Sequence, residues 1–387
     1  FNLKIFIEFF FLGLTSFGGP VAHIAIFRNR FVEKAKLFSE STYAELVAMA
    51  QIIPGPTSSQ VGMAIGYRLN GLRGAISAWF GFTLPSAVAM GIAGYLVLTD
   101  HIPEAGWVVS ALKSVALGVV TQAVIGMWGS ICINHLTRVT ALLTAIIINQ
   151  FPLVWTQVIL ISSALLAGHF AFLNSPVIGL RRNLACKQLK DGLLLLCIFF
   201  ILLILAFSVP YDHNLWKIIT GHFISGSLVF GGGHVVLPLL EAEFVPPLPD
   251  NVFLAGYGIA QAMPGPLFSI ASYIGSTAPG VNPLVGALSA TTAVFLPGAL
   301  LLSIAGRFGT VLLPWLKPRL SFVNAVVVGL LLSVLVDPVF ATTVYDEGTT
   351  GLAILSLFMA VGLKRSPLEI VVVLLTASYL GSLVGFI

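Results

Sequence analysis

An all-α polytopic membrane protein, built as an inverted-topology repeat with broken or re-entrant helices, is the fold class this sequence predicts. Of 387 residues, 57% are apolar and only 9% are charged, whereas a soluble domain carries about 25% charged residues. Lipid is therefore the solvent for most of the surface. The 38 glycines and 21 prolines fall within the apolar stretches, which marks interrupted helices rather than plain Leu-rich spans. Two motifs then recur at a nearly constant offset. Phe17-Gly18-Gly19 returns as Phe230-Gly231-Gly232, and Gln51 with Pro54-Gly55-Pro56 returns as Gln261 with Pro264-Gly265-Pro266.

The correspondence extends along the chain, with Leu84-Pro85 matching Leu296-Pro297, Ile92-Ala93-Gly94 matching Ile304-Ala305-Gly306, and Gly118 matching Gly329. Residues 1–173 and 214–387 read as copies. Residues 174–213 join them through a basic loop (Arg181, Arg182, Lys187, Lys190) and an uncharged run from Leu193 to Val209 that can cross a bilayer.

Charges orient the copies. After the first glycine motif come Arg28, Arg30, Lys34 and Lys36, whereas the matching stretch from Glu241 to Asp250 carries acids and no base. Arg68 and Arg73 have no basic counterpart, and Asp100 and Glu104 face Arg307, Lys317 and Arg319. Under the positive-inside rule equivalent loops lie on opposite sides of the membrane. On that path every basic residue but Lys113 and Lys217 is cytoplasmic.

Taken in order, residues 3–27 hold the first glycine motif, as a hairpin or as a kinked span. Residues 44–67 enter and leave from the cytoplasmic side and turn at Pro-Gly-Pro. Spans follow near 74–98, 107–130, 139–149 and 153–173, with counterparts in the second copy. The net charge of +4 includes no basic-aromatic stripe, which argues against nucleic-acid binding. Cys132, Cys186 and Cys197 stand singly, with neither zinc-ligand nor disulfide spacing. No signal-peptide cleavage pattern follows the first apolar stretch, no metal or cofactor motif is present, and oligomeric state, a homodimer included, is left open.

Irregular backbone at membrane depth is tolerated only where protein or a watery cavity covers it, so the breaks are expected to meet inside. Pro-Gly-Pro ends one half-helix and begins another, which puts Thr57 and Ser58 on the new first turn and makes Ser269 the nearest hydroxyl in the second copy. Helix N-termini offer free N–H groups and partial positive charge, a natural seat for a small anion. The duller reading, close packing alone, is weakened because both motifs repeat.

FLGLTSFGGPVAHIAIF with QIIPGPTSSQVGMAIGYRLNG, followed by GSLVFGGGHVVLPLLE with QAMPGPLFSIASYIG, resembles the paired signature of the chromate ion transporter family in its long-chain, two-domain form. The resemblance covers essentially the whole chain. It implies a bacterial-type inner-membrane transporter that exports chromate, with sulfate as the related oxyanion, driven by the proton motive force. The absence of a GxxxxGK[ST] phosphate loop agrees with that. Gly233 replaces the first copy's proline, so the halves need not contribute equally. The rival readings are sulfate uptake or exchange, a passive anion channel, and a membrane enzyme or flippase, for which no catalytic polar cluster is found.

Candidate path-lining residues are Gly18, Gly19, Gly55, Gly231, Gly232 and Gly265. Gln51 and Gln261 are costly to leave in lipid; they either donate to the anion or stitch hairpins together. Arg28 and Arg68 are candidates for drawing anions toward a vestibule, or serve only topology. Glu8, Glu45, His23 and His234 are the ionisable groups within apolar segments and hence the proton-coupling candidates. Orientation is directly testable: with the native cysteines removed, Lys34→Cys and Asp250→Cys are expected to react with an impermeant maleimide from opposite faces of the membrane, and labelling from one face refutes the inverted repeat.

Overall fold

The computed structural model describes residues 1–99, 106–171, 186–208, 214–230, 233–245 and 248–384, which form helices and short connections with no strand among them. Helix α1 (Leu3–Thr15) ends at Ser16, where the chain turns extended, and α2 (Gly19–Arg28) begins after Gly18. At about 1.5 Å per residue neither of these pieces reaches across the roughly 30 Å of a bilayer core. They pack back on each other instead. The Phe9 ring lies 5.6 Å from that of Phe27 and 5.3 Å from that of Phe31, and Glu8 pairs with Arg30. The segment is therefore a hairpin, which settles the hairpin-or-kink alternative.

Helices α3 (Glu40–Ile52) and α4 (Thr57–Leu98) flank the first Pro-Gly-Pro. Helix α4 has two arms, because Asn70 and Gly71 leave helical geometry and Gly66 packs on the Gly74 backbone across the bend. The arm beyond Gly71, residues 72–98, is about 40 Å long at 1.5 Å per residue, enough to cross a bilayer core. Next come α5 (Gly106–Ile131), α6 (His135–Gln150), α7 (Val154–Ala171) and the linker helix α8 (Cys186–Ser208), whose exposed Leu193, Leu194, Ile201 and Ile204 suit lipid.

The second half repeats this order. Helices α9 (Asn214–Leu228) and α10 (Val236–Phe244) form the next hairpin, with Ser225 Oγ donating to Leu239 O at 3.3 Å and the His222 ring 4.4 Å from that of Phe244. Helices α11 (Asp250–Ala262) and α12 (Ile270–Ser276) form another, tied by Tyr273 Oη donating to Val252 O at 2.9 Å. Gly275 packs on Gly286 as Gly66 does on Gly74. Helix α13 (Pro283–Val334) contains one crossing and begins a second, Pro283–Phe308 and Arg319–Thr343. The one-turn α14 (Ala341–Thr343), α15 (Glu347–Leu357) and α16 (Pro367–Leu383) complete the chain. Among the described residues, five helical stretches are long and apolar enough to cross a membrane.

The halves interlock. Helix α5 packs on α11, α15 and α16, while α13 packs on α3, α6 and α7, so the last two helices of each half sit on the other half. One large core joins Met90, Leu117 and Val120 to Leu254, Tyr257 and Phe295. Glycines set the closeness. A Cβ on Gly118 would overlap Ser356, and one on Gly329 would overlap Ala141 and Thr144. Gly118→Val and Gly329→Val are each expected to destabilise the protein by about 1–3 kcal/mol through overpacking, read as a lower melting midpoint in detergent. Gly126→Ala, where an added Cβ meets nothing within 4 Å, is the neutral control.

Candidate functional site

The first N–H groups of a helix lack intrahelical partners. Side chains meet that need at many helix starts here: Asn2, Ser39, Asn134, Asn282, Asp346 and Ser366 cap α1, α3, α6, α13, α15 and α16. The helices that start at the repeated motifs lack such caps. Gly18 before α2, Pro56 before α4 and Pro266 before the 3-10 turn Leu267–Ser269 supply no side-chain cap. Donors at these tips are left open.

The tips meet in pairs across the halves. Gly265 N donates to Ser16 O at 2.8 Å, and Gly55 N donates to Val229 O at 2.8 Å. Each Pro-Gly-Pro tip thus satisfies the carbonyl just before the other half's Phe-Gly-Gly. Both glycines are needed on two counts. Gly55 (φ 128°) and Gly265 (φ 92°) occupy backbone space that disfavours a Cβ. A Cβ at Gly55 would also come within 2.9 Å of Gly298 Cα, and one at Gly265 within 3.0 Å of Ser86 Oγ.

At the Ser16–Gly265 junction, His23 Nε2 lies 3.2 Å from Ser16 O. A carbonyl only accepts, so Nε2 carries the hydrogen. The His23 and Phe82 rings are 5.3 Å apart, and Ser86 Oγ donates to Thr83 O at 3.1 Å. Trp79, Thr83 and Ser86 share one face of the second arm of α4. At the Gly55–Val229 junction, Gln60 Nε2 donates to Pro54 O at 2.8 Å and to Gly298 O at 3.3 Å.

Other expected residues fall into place around these junctions. Gly18 is exposed, Gly19 is half-buried, and nothing lies within 4 Å of a Cβ built on Gly19, so the start of α2 faces open space. Thr57 and Ser58 are buried on the first turn of α4, and Ser269 is buried at its counterpart. Gly231 and Gly232 lie outside the described residues. Gln261 is buried with its Nε2 unpartnered, and the Tyr257 hydroxyl one turn before it is 2.9 Å from His234 Nδ1. Gln51, by contrast, is exposed: Tyr43, Leu46 and Ala50 form the buried stripe of α3, and residue 51 falls to one side of it. The stitching expected of Gln51 is done by Gln60.

The charged candidates stand apart from the tips. Arg28 is engaged by Glu33 and by Glu40, with Nε 3.0 Å from Glu40 Oε2, and Glu8 is held by Arg30. Glu45 and Arg68 are exposed. Ser16, Gln60, Trp79, Thr83 and Ser86 were not singled out from sequence. The 79-83-86 spacing on an apolar helix was the available signal.

The profile of a family described as Chromate transporter matches residues 3–172 and 216–382. A chromate transport protein of Pseudomonas aeruginosa is 28% identical over 98% of this chain and 92% of its own length. One from Cupriavidus metallidurans is 27% identical over 76% of this chain and 71% of its own. An uncharacterized transporter of Methanocaldococcus jannaschii is 28% identical over 78% and 74%. No solved structure matches. For the junction held by Gln60, Gln60→Leu strips one buried and one half-buried carbonyl of a donor and is expected to cost about 1–3 kcal/mol, whereas Gln51→Leu leaves the melting midpoint unchanged.

Proposed function

Since the chain belongs to the chromate transporter family, we propose that it is a secondary transporter that exports chromate from the cytoplasm across a bacterial-type inner membrane, driven by the proton motive force. The oxyanion binds near the midplane at the hairpin tips, to N–H groups at the starts of α2 and α4 and to hydroxyls. Gly18, Gly19, Gly55, Thr57, Ser58, Gly265 and Ser269 supply this surface, joined by Gly231 and Gly232 of the second glycine motif. The observation that carries the reading is the reciprocal docking of uncapped tips, Gly265 on Ser16 and Gly55 on Val229.

We also propose that residues 1–173 and 214–387 are inverted-topology copies joined by residues 174–213. Reciprocal contacts are what a pseudo-two-fold relation produces, and one family profile matches both stretches.

The driving force follows from charge. Moving one charge through the membrane potential is worth about 2.3 kcal/mol per 100 mV. A dianion leaving an inside-negative cell therefore gains roughly 4.6 kcal/mol per 100 mV, enough for a gradient of about a thousandfold or more. Coupling to protons falls to His23 and His234, which follow the two glycine motifs. Glu8 is held in an ion pair and Glu45 is exposed, which disfavours both.

In everted vesicles the chain is expected to accumulate labelled chromate under an imposed proton motive force, with uptake abolished by an uncoupler. Imposing the pH gradient and the membrane potential separately divides the readings: uptake that responds to the pH gradient marks proton coupling, uptake set by the potential and the chromate gradient alone marks a channel, and competition in which sulfate outruns chromate makes sulfate the substrate. Gly55→Leu and Gly265→Leu are each expected to abolish uptake while insertion persists. Normal uptake by either variant removes that glycine from the path.

A further inference from the structure

The two tip junctions are related by sequence position yet differ in chemistry. Ser16 corresponds to Val229, and the match of Leu84-Pro85 with Leu296-Pro297 sets Thr83 against Phe295 and Ser86 against Gly298. At each of these three positions the first junction has a hydroxyl and its twin has none, while the twin carries Thr57 and Ser58 where the first junction has Leu267 and Phe268; the difference that matters is in the buried, unpartnered atoms. Ser269 and Ser59 are the one hydroxyl pair that both junctions keep.

Buried polar atoms without a protein partner follow the same division. Around the Ser16–Gly265 junction they are Ser16 Oγ, Thr83 Oγ1, Ser269 Oγ, Trp79 Nε1, Gln261 Nε2 and His23 Nδ1. Ser16, Thr83 and Ser269 are 0%, 2% and 1% exposed. Of these atoms all but the His23 nitrogen are hydrogen donors. At the Gly55–Val229 junction the unpartnered atoms are Ser59 Oγ and Gln60 Oε1. The second is a carbonyl oxygen, which repels an anion. Gln60 Nε2 is already committed to Pro54 O and Gly298 O.

A tetrahedral oxyanion offers four acceptor oxygens and no donor, so it goes where donors outnumber acceptors. We propose that the oxyanion seat lies at the Ser16–Gly265 junction alone, with the hydroxyls of Ser16, Thr83 and Ser269 as its donors, and that Gln60 closes the equivalent place in the twin. This rests on the transport reading above and narrows the binding surface named there from both tip pairs to one, leaving Gly55, Thr57 and Ser58 to the closed twin. His23 is a positioning residue: with Gly265 N it fixes the Ser16 carbonyl, which holds that residue at the tip. The transporter is then a symmetric frame with one binding site.

The test uses the full chain in lipid nanodiscs with chromate as the probe, and sulfate as a non-oxidising tetrahedral dianion. The readouts are the rise in melting midpoint on adding the anion and the KM for uptake in everted vesicles. Ser16→Ala, Thr83→Val and Ser269→Ala are each expected to weaken binding about tenfold or more, as loss of a hydrogen bond to a charged group does. Thr83→Ser, which keeps the hydroxyl, is expected to stay near wild type, as is Ser59→Ala, the twin of Ser269→Ala. The seat is wrong if Ser59→Ala is as damaging as Ser269→Ala, or if Thr83→Val binds chromate normally.

Where Thr83→Val fails to insert, the anion-induced melting shift of Ser16→Ala decides: a lost shift supports the seat and a full shift overturns it. Failure of the transport reading looks different. There the wild-type chain moves no chromate, while anion-induced stabilisation still depends on Ser16, Thr83 and Ser269.

Discussion

A helix end inside a membrane cannot leave its N–H and C=O groups to lipid, and in this protein the two sharpest breaks answer that constraint with each other. Ser16 and Val229 close half-helices with carbonyls that no further turn can satisfy. Gly265 and Gly55, at the tips of the opposite halves, donate to them. Each bond favours a glycine because the backbone there has positive φ, and at Gly55 the neighbouring chain also leaves no room for a Cβ. The remaining architecture brings those tips together.

Interlocking follows from the same requirement. A hairpin of half-helices buries too little to stand alone, so each half borrows surface from its partner. Helices α15 and α16 cover α5, and α6 and α7 cover α13. The cores are accordingly shared, with Leu302 and Ala305 packed among first-half residues and Met90 and Val120 among second-half ones. Trp79 and Phe295, whose rings lie 5.9 Å apart, join the two halves between the tip pairs.

Much of this was legible in the sequence. Composition gave the solvent, and the repeated Phe-Gly-Gly and Pro-Gly-Pro placed the breaks, because only glycine and proline carry the required backbone. What sequence did not disclose was which tip meets which, since reciprocal exchange between halves leaves no mark on local pattern. Nor did it disclose the glutamine that bridges the tips. Gln51 drew attention by its match with Gln261, yet Gln60, one turn into the next helix and matched only by Ile270, makes the bridge. Ser16, Thr83 and Trp79 were hidden as ordinary small and aromatic residues of apolar helices. Their significance appears only when each is set beside its twin and the twin proves to be Val229, Phe295 or Thr291.

The central claim is that crossed tips build one anion seat between the halves. It is tested most directly by a cryo-EM map of the chain in lipid nanodiscs saturated with chromate. The account predicts Gly265 docked on Ser16, Gly55 docked on Val229, and tetrahedral density beside Ser16, Thr83 and Ser269. Density at the Gln60 junction, or tips that pair within their own half, would contradict it.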